Sequence, residues 1–137
     1  MSLLRKTQHL FLTGILLACS GVALADWELD DSASVINFVS IKNDSVAELH
    51  SLPSLTGFIG AAGNAQLTVE LESVETLIDV RNERMREMLF ETVKFPVATI
   101  AAEVDPGVLA MAAEGGVVTV DLPVTLSLHG QEKALTA

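Results

Sequence analysis

The chain of 137 residues has one cysteine (Cys19), one tryptophan (Trp27) and no tyrosine. A lone cysteine excludes an intrachain disulfide and a cysteine-based zinc site. Bases are scarce too: eight Lys and Arg stand against 18 Asp and Glu, for a formal charge of −10. The imbalance is uneven along the chain. Every acid lies at or after Asp26, whereas Arg5 and Lys6 precede it, so residues 26–137 carry 18 acids and six bases, a net −12. That excludes the Lys/Arg stripe on which nucleic-acid binding depends, and it disfavours adsorption to an anionic bilayer. Chemistry-bearing patterns are few. There is no Gly-x-Ser-x-Gly elbow and no P-loop context. His9 lies in the first 25 residues, read below as a leader, and His50 and His129 lack the His or Cys neighbours of a metal site and read as surface or hydrogen-bonded histidines. The carboxylate pairs Asp30/Asp31 and Glu70/Glu72 read as solubility charges rather than a glycosidase pair. The expectation is a protein that is not an enzyme and holds no metal or cofactor.

What is present begins with a leader. Arg5 and Lys6 precede residues 10–25 (LFLTGILLACSGVALA), which carry no charge and end in Ala23-Leu24-Ala25. A basic start, an apolar middle and a small-x-small end form the secretory signal pattern. Sixteen residues interrupted by Thr13, Gly14, Ser20 and Gly21 are short for a permanent span, which takes about 20. Cleavage after Ala25 is the expectation, giving a periplasmic body free of cysteine, which suits an oxidising compartment. Leu16-Leu17-Ala18-Cys19 offers the alternative of a lipoprotein anchored through Cys19.

Residues 26–137 read as one domain dominated by strands. Ser34–Lys42 is rich in β-branched residues, with Ile36 and Phe38 on one face. Leu55–Ala61 is a run bearing Gly57 and Gly60, which fit a bend. Gln66–Val74 alternates, with Leu67, Val69 and Leu71 dry against Thr68, Glu70 and Glu72. Residues 81–90 change period and predict a short helix with Met85, Met88 and Leu89 at helical spacing, ended before Pro96. Val97–Val104 predicts another strand. Asp105-Pro106-Gly107 and Glu114-Gly115-Gly116 are turn signals. Gly116–Leu128 predicts a long strand in which Pro123 demands an edge or bulge, and Lys133–Thr136 opens one more. About six antiparallel strands and one short helix suggest a sandwich or barrel. Dry strand faces suit either a packed core or a lipid cavity.

The stretch 76–99 stands out. It gathers Arg81, Arg84 and Arg86, balanced by Glu83, Glu87 and Glu91, beside the apolar Met85, Met88, Leu89, Phe90 and Phe95. A solvated, charge-balanced helix over a core is one reading. A basic rim for an anionic or polar head group is the other, with methionine supplying a pliable wall.

These segments resemble the YceI family of secreted bacterial proteins. The resemblance is carried by Trp27–Asp30, Ser34–Phe38, the glycine-bearing Leu55–Ile59, Ser73–Thr76, Arg81–Asn82, Phe95–Thr99 and Leu126–Gly130, in family order and spacing. It implies an all-β, lipocalin-like antiparallel β-barrel with one short helix, around a long apolar cavity. The implied ligand is an amphipathic lipid such as a polyisoprenoid, an isoprenoid quinone or a fatty amide, with no catalysis. Family domains continue past the His-Gly motif with strands that close the barrel. Here the final strands are missing, which implies an incomplete domain that is a fragment or pairs with a partner or a second copy as a homodimer. On this reading the lumen candidates are Phe38, Phe58, Leu67, Val69, Leu71, Ile100 and Leu126. Met85, Phe90 and Phe95 cap the cavity, and Arg81, Arg84 and Lys94 form the rim. The alternative is a stress-associated structural or interaction protein with a packed barrel and no ligand.

Overall fold

A computed structural model describes residues 27–137. The expected leader, with Arg5, Lys6, His9 and Cys19, lies outside the described residues. Among the described residues eight strands are formed: β1 (Trp27–Glu28), β2 (Ile36–Lys42), β3 (Val46–Leu52), β4 (Leu55–Ile59), β5 (Asn64–Glu70), β6 (Val97–Glu103), β7 (Pro123–Leu128) and β8 (Gln131–Thr136). They make an antiparallel six-stranded sheet in the order β1-β4-β5-β6-β7-β8 and a separate hairpin, β2-β3.

The turns follow from local chemistry. Leu128 pairs with Gln131 across His129 and Gly130, both at positive φ (52° and 71°). That is the two-residue turn whose twist matches flanking strands. Lys42 pairs with Val46 around Asn43 and Asp44 at φ 53° and 56°, residue types that tolerate the left-handed region. Gly63, at φ 100°, sits where a Cβ would run into the Val104 carbonyl oxygen. Pro123 occupies the first residue of β7, where a missing N–H costs no central ladder bond. Residues 116–122, expected to extend that strand, lie outside it.

Three expectations need correction. The sheets do not close into a barrel: the outer edge of β8 and the hairpin find no strand partner in each other, so the continuous ladder that closure requires is not made. The helix expected at 81–90 is present, as α1 (Asp79–Arg84) running into a π-helical stretch, Met85–Phe90, and ending on Glu91 at φ 47°. It is not the only one: α2 (Pro106–Ala113) fills the space between the two turn signals. Asp105 accepts a 2.7 Å bond from the Gly107 N–H, and Pro106 takes the first helical position, so a turn signal here starts a helix. Finally, Gln66–Val74 breaks at Leu71, where a 3-10 turn (Leu71–Ser73) folds under the sheet. Glu70 and Glu72 therefore do not share a strand face.

The inward face of the sheet is built in rows by its register. The lowest row is Leu55, Val69 and Ala98. The next is Gly57, Leu67, Ile100 and Leu126, and above it lie Trp27, Ile59, Ala65, Ala102 and Val124. The lowest row is packed. Leu52, Leu55, Val69, Leu71, Val74 and Ala98 form the core, with Leu29, Ile36, Phe38, Leu67, Met85, Phe90 and Leu128 against it. Among the described residues, the 3-10 turn, the helical segment and the hairpin thus cover one end of the sheet and leave the other uncovered.

Candidate functional site: an apolar groove on the inward face

At the uncovered end lies an open groove of about 500 Å³. Its lining includes Trp27, Leu29, Gly57, Ile59, Ala65, Leu67, Ile100, Ala102, Leu122 and Val124, essentially the upper two inward rows. Strand alternation explains the uniform polarity: every second residue of β4, β5, β6 and β7 reaches the same face. Glu28 is the one charged residue among the lining residues. A concave, mostly apolar site of this size is the usual form of a small-molecule pocket. Two further hollows lie around Gln66, Thr68, Thr125 and Glu103, where polar side chains are mixed with Phe58, Ala101 and Pro123.

The residues singled out in the sequence divide between this groove and other environments. Leu67 and Ile100 line it, and Leu126 shares their row. Phe58 lies at its edge, but its register partners Glu28 and Gln66 belong to the outward row. Phe38, Val69, Leu71, Met85 and Phe90 go to the packed core. Phe95 packs against the His129 ring, with centroids 4.5 Å apart and the planes tilted by 42°. The groove residues the sequence reading passed over are Trp27, Leu29, Ile59, Ala65, Ala102, Leu122 and Val124. The available signal was parity with Leu67 and Ile100 once strand pairing is known.

The cations sit apart from the groove lining. Arg81 donates to Glu48 Oε2 at 2.9 Å and to the Thr76 carbonyl at 2.6 Å, which ties the hairpin to α1. The Arg81 hydrogen bond holds the Glu48 carboxyl below its usual range. Arg84 is exposed. Arg86 donates to the Glu72 carbonyl at 2.8 Å, and Lys94 lies 3.8 Å from Glu91. Buried polar groups cluster nearby. Asn82 Oδ1 accepts from the Thr76 N–H (2.9 Å) and hydroxyl (2.6 Å), and its Nδ2 donates to Glu75 at 3.2 Å. That bond, with the Leu77 N–H, lowers the Glu75 pKa. His50 is buried, its Nε2 2.8 Å from Ser40 Oγ, and His129 Nε2 lies 2.7 Å from Glu91. Glu72 accepts from Thr92, and Asp30 caps the turn at Ser32. Among the described residues no group of His, Cys, Asp and Glu has the arrangement to hold a metal ion, and no helix is long and apolar enough to cross a membrane.

A family model described as the YceI-like domain matches residues 27–137. Among solved structures, the chain is similar to a polyisoprenoid binding domain from Saccharophagus degradans implicated in plant cell wall breakdown. That match has 45% identity and a TM-score of 0.71, over 82% of this chain and 64% of that one. It is also similar in fold to BcnA of Burkholderia cenocepacia, at 17% identity and a TM-score of 0.55, over 74% of this chain and 62% of that one. The chain thus spans a little under two thirds of each of these relatives. No curated protein sequence matches it.

Proposed function

The chain belongs to the family of YceI-like domains, and we propose that it binds the apolar tail of an amphipathic lipid, a polyisoprenoid or an isoprenoid quinone, in the groove on its inward sheet face. The observation that carries this reading is the groove: Trp27, Ile59, Leu67, Ile100, Ala102 and Val124 converge on one open apolar trough, although the same sheet packs a dry core only one or two rows away. Withdrawing apolar tail from water contributes about 2.5 kcal/mol per 100 Å², so a long prenyl chain supplies affinity without directional contacts. The likeness to a polyisoprenoid binding domain supports the same ligand class.

Binding rather than catalysis is part of the proposal. The groove carries Glu28 and no partnered base or nucleophile among its lining residues. So is export through residues 1–25 to the periplasm, where a carrier would shield an insoluble tail. The test is solvent extraction of the protein purified from its natural compartment, followed by lipid mass spectrometry. A stoichiometric prenyl lipid is expected. A protein that yields none, and takes up no added isoprenoid quinone, would overturn the proposal.

A further inference from the structure

We propose that Ala102, with its register neighbour Ala65, is the gauge of the groove: these two side chains set the bore and so decide which prenyl chains can lie in it. The inference rests on the lipid-binding reading above and adds to it the residues that determine chain selectivity. The upper inward row runs Trp27, Ile59, Ala65, Ala102, Val124 across β1, β4, β5, β6 and β7. The row goes on to Leu135 of β8, and its two smallest side chains sit side by side between Ile59 and Val124. Four inter-strand steps of ~4.8 Å make the run from Trp27 to Val124 about 19 Å wide. The row roughly 7 Å below it, two residues along each strand, carries Leu67 and Ile100. Leu67 packs directly against the core, so a tail cannot descend along the strands. It must cross them, over the bed the alanines leave open between Trp27 and Ile59 on one side and Val124 and Leu122 on the other.

A long prenyl chain has to pass the Ala65–Ala102 point, whereas a short one can settle on either side of it. Larger residues at these positions should therefore discriminate by length instead of abolishing binding. The sheet supplies its own control. Ala101 is the next residue along the same strand but lies on the outward row, paired with Gln66 and Thr125, so the same substitution there adds bulk to the opposite face.

The experiment measures binding of geraniol and solanesol to the full chain, and to its Ala102→Leu, Ala65→Leu and Ala101→Leu variants. Trp27, the single tryptophan, is the groove-lining reporter, and far-UV circular dichroism checks each fold. Ala102→Leu is expected to weaken solanesol at least tenfold and geraniol less than threefold, with both affinities unchanged in Ala101→Leu. Ala65→Leu repeats the test should Ala102→Leu fail to fold. Equal solanesol affinity in the inward and outward variants overturns the inference while leaving the lipid reading intact, as does a parallel loss of both alcohols. A parent chain that binds neither alcohol overturns the lipid reading and the gauge together.

Discussion

Replacing Asn82 by Ala tests how the helical segment is held under the sheet. Asn82 is 4% exposed and Thr76 2%. The Asn82 side-chain oxygen accepts both the backbone N–H and the hydroxyl of Thr76. In Asn82→Ala both donors stay buried and lose their acceptor. A buried donor left unpaired costs about 1–3 kcal/mol. The hydroxyl has partial relief at the Ile78 carbonyl, 3.4 Å away, and the N–H has partial relief at the Glu75 carboxylate. The expected loss is about 2–4 kcal/mol. Against a typical domain stability of about 5–15 kcal/mol, that is a large fraction. Urea unfolding followed by far-UV circular dichroism measures it. Adding Thr76→Val to Asn82→Ala should recover part of the loss by removing the stranded hydroxyl. A loss below about 1 kcal/mol for Asn82→Ala would refute the reasoning, because it would mean that water or backbone adjustment satisfies the Thr76 donors.

Further outcomes follow from the same geometry. Gly63→Ala places a Cβ against the Val104 carbonyl at a left-handed φ and strains the 2.7 Å bond from Val104 N–H to the Gly63 carbonyl. Chemical denaturation should register a loss of more than about 2 kcal/mol. The Glu48 pKa is lowered in the folded chain, chiefly by the Arg81 hydrogen bond. Its contribution is therefore present above the unfolded-state value and lost as pH falls through the lower folded one. Glu48→Gln should flatten that acidic limb of a stability–pH curve and leave its neutral-to-alkaline shape unchanged. His129→Ala removes the bond to Glu91 and the contact with the Phe95 ring. It should cost about 1 kcal/mol and speed amide exchange in β8 more than in β5.

Much of the fold was legible as alternation. Strands β5 and β6 carry apolar residues at every second position, so their alternation could be read directly, whereas β2 places Val39 and Ile41 on its exposed face and Ser40 on the inner one. Strand β3 was not legible, because its polarity is inverted locally. Glu48 and His50 point inward, where Arg81 bonds the carboxylate and Ser40 the His50 Nε2, while Ala47 and Leu49 face solvent. A period-2 pattern cannot show that an inward carboxylate has found a distant arginine. Helix α2 hid behind Asp105-Pro106, a pair that starts either a turn or a helix. The groove was half legible. Leu67 and Ile100 were recognisable as inward residues, but Val69 and Leu71 share the parity of Leu67 and are core. What separates them is how far the 71–90 segment reaches along the sheet, a tertiary fact. Ala65 and Ala102 share the parity of Leu67 and Ile100, but an alanine acquires meaning here only through the residue beside it.

The central claim is that the trough beside Trp27 holds an isoprenoid tail. The direct measurement is quenching of Trp27 fluorescence by an isoprenoid quinone, titrated against the tail-less quinone of the same ring. The account predicts saturable, near-complete quenching by the tailed quinone, at concentrations where the tail-less ring quenches weakly and without saturation. Equal, unsaturable quenching by both would contradict it.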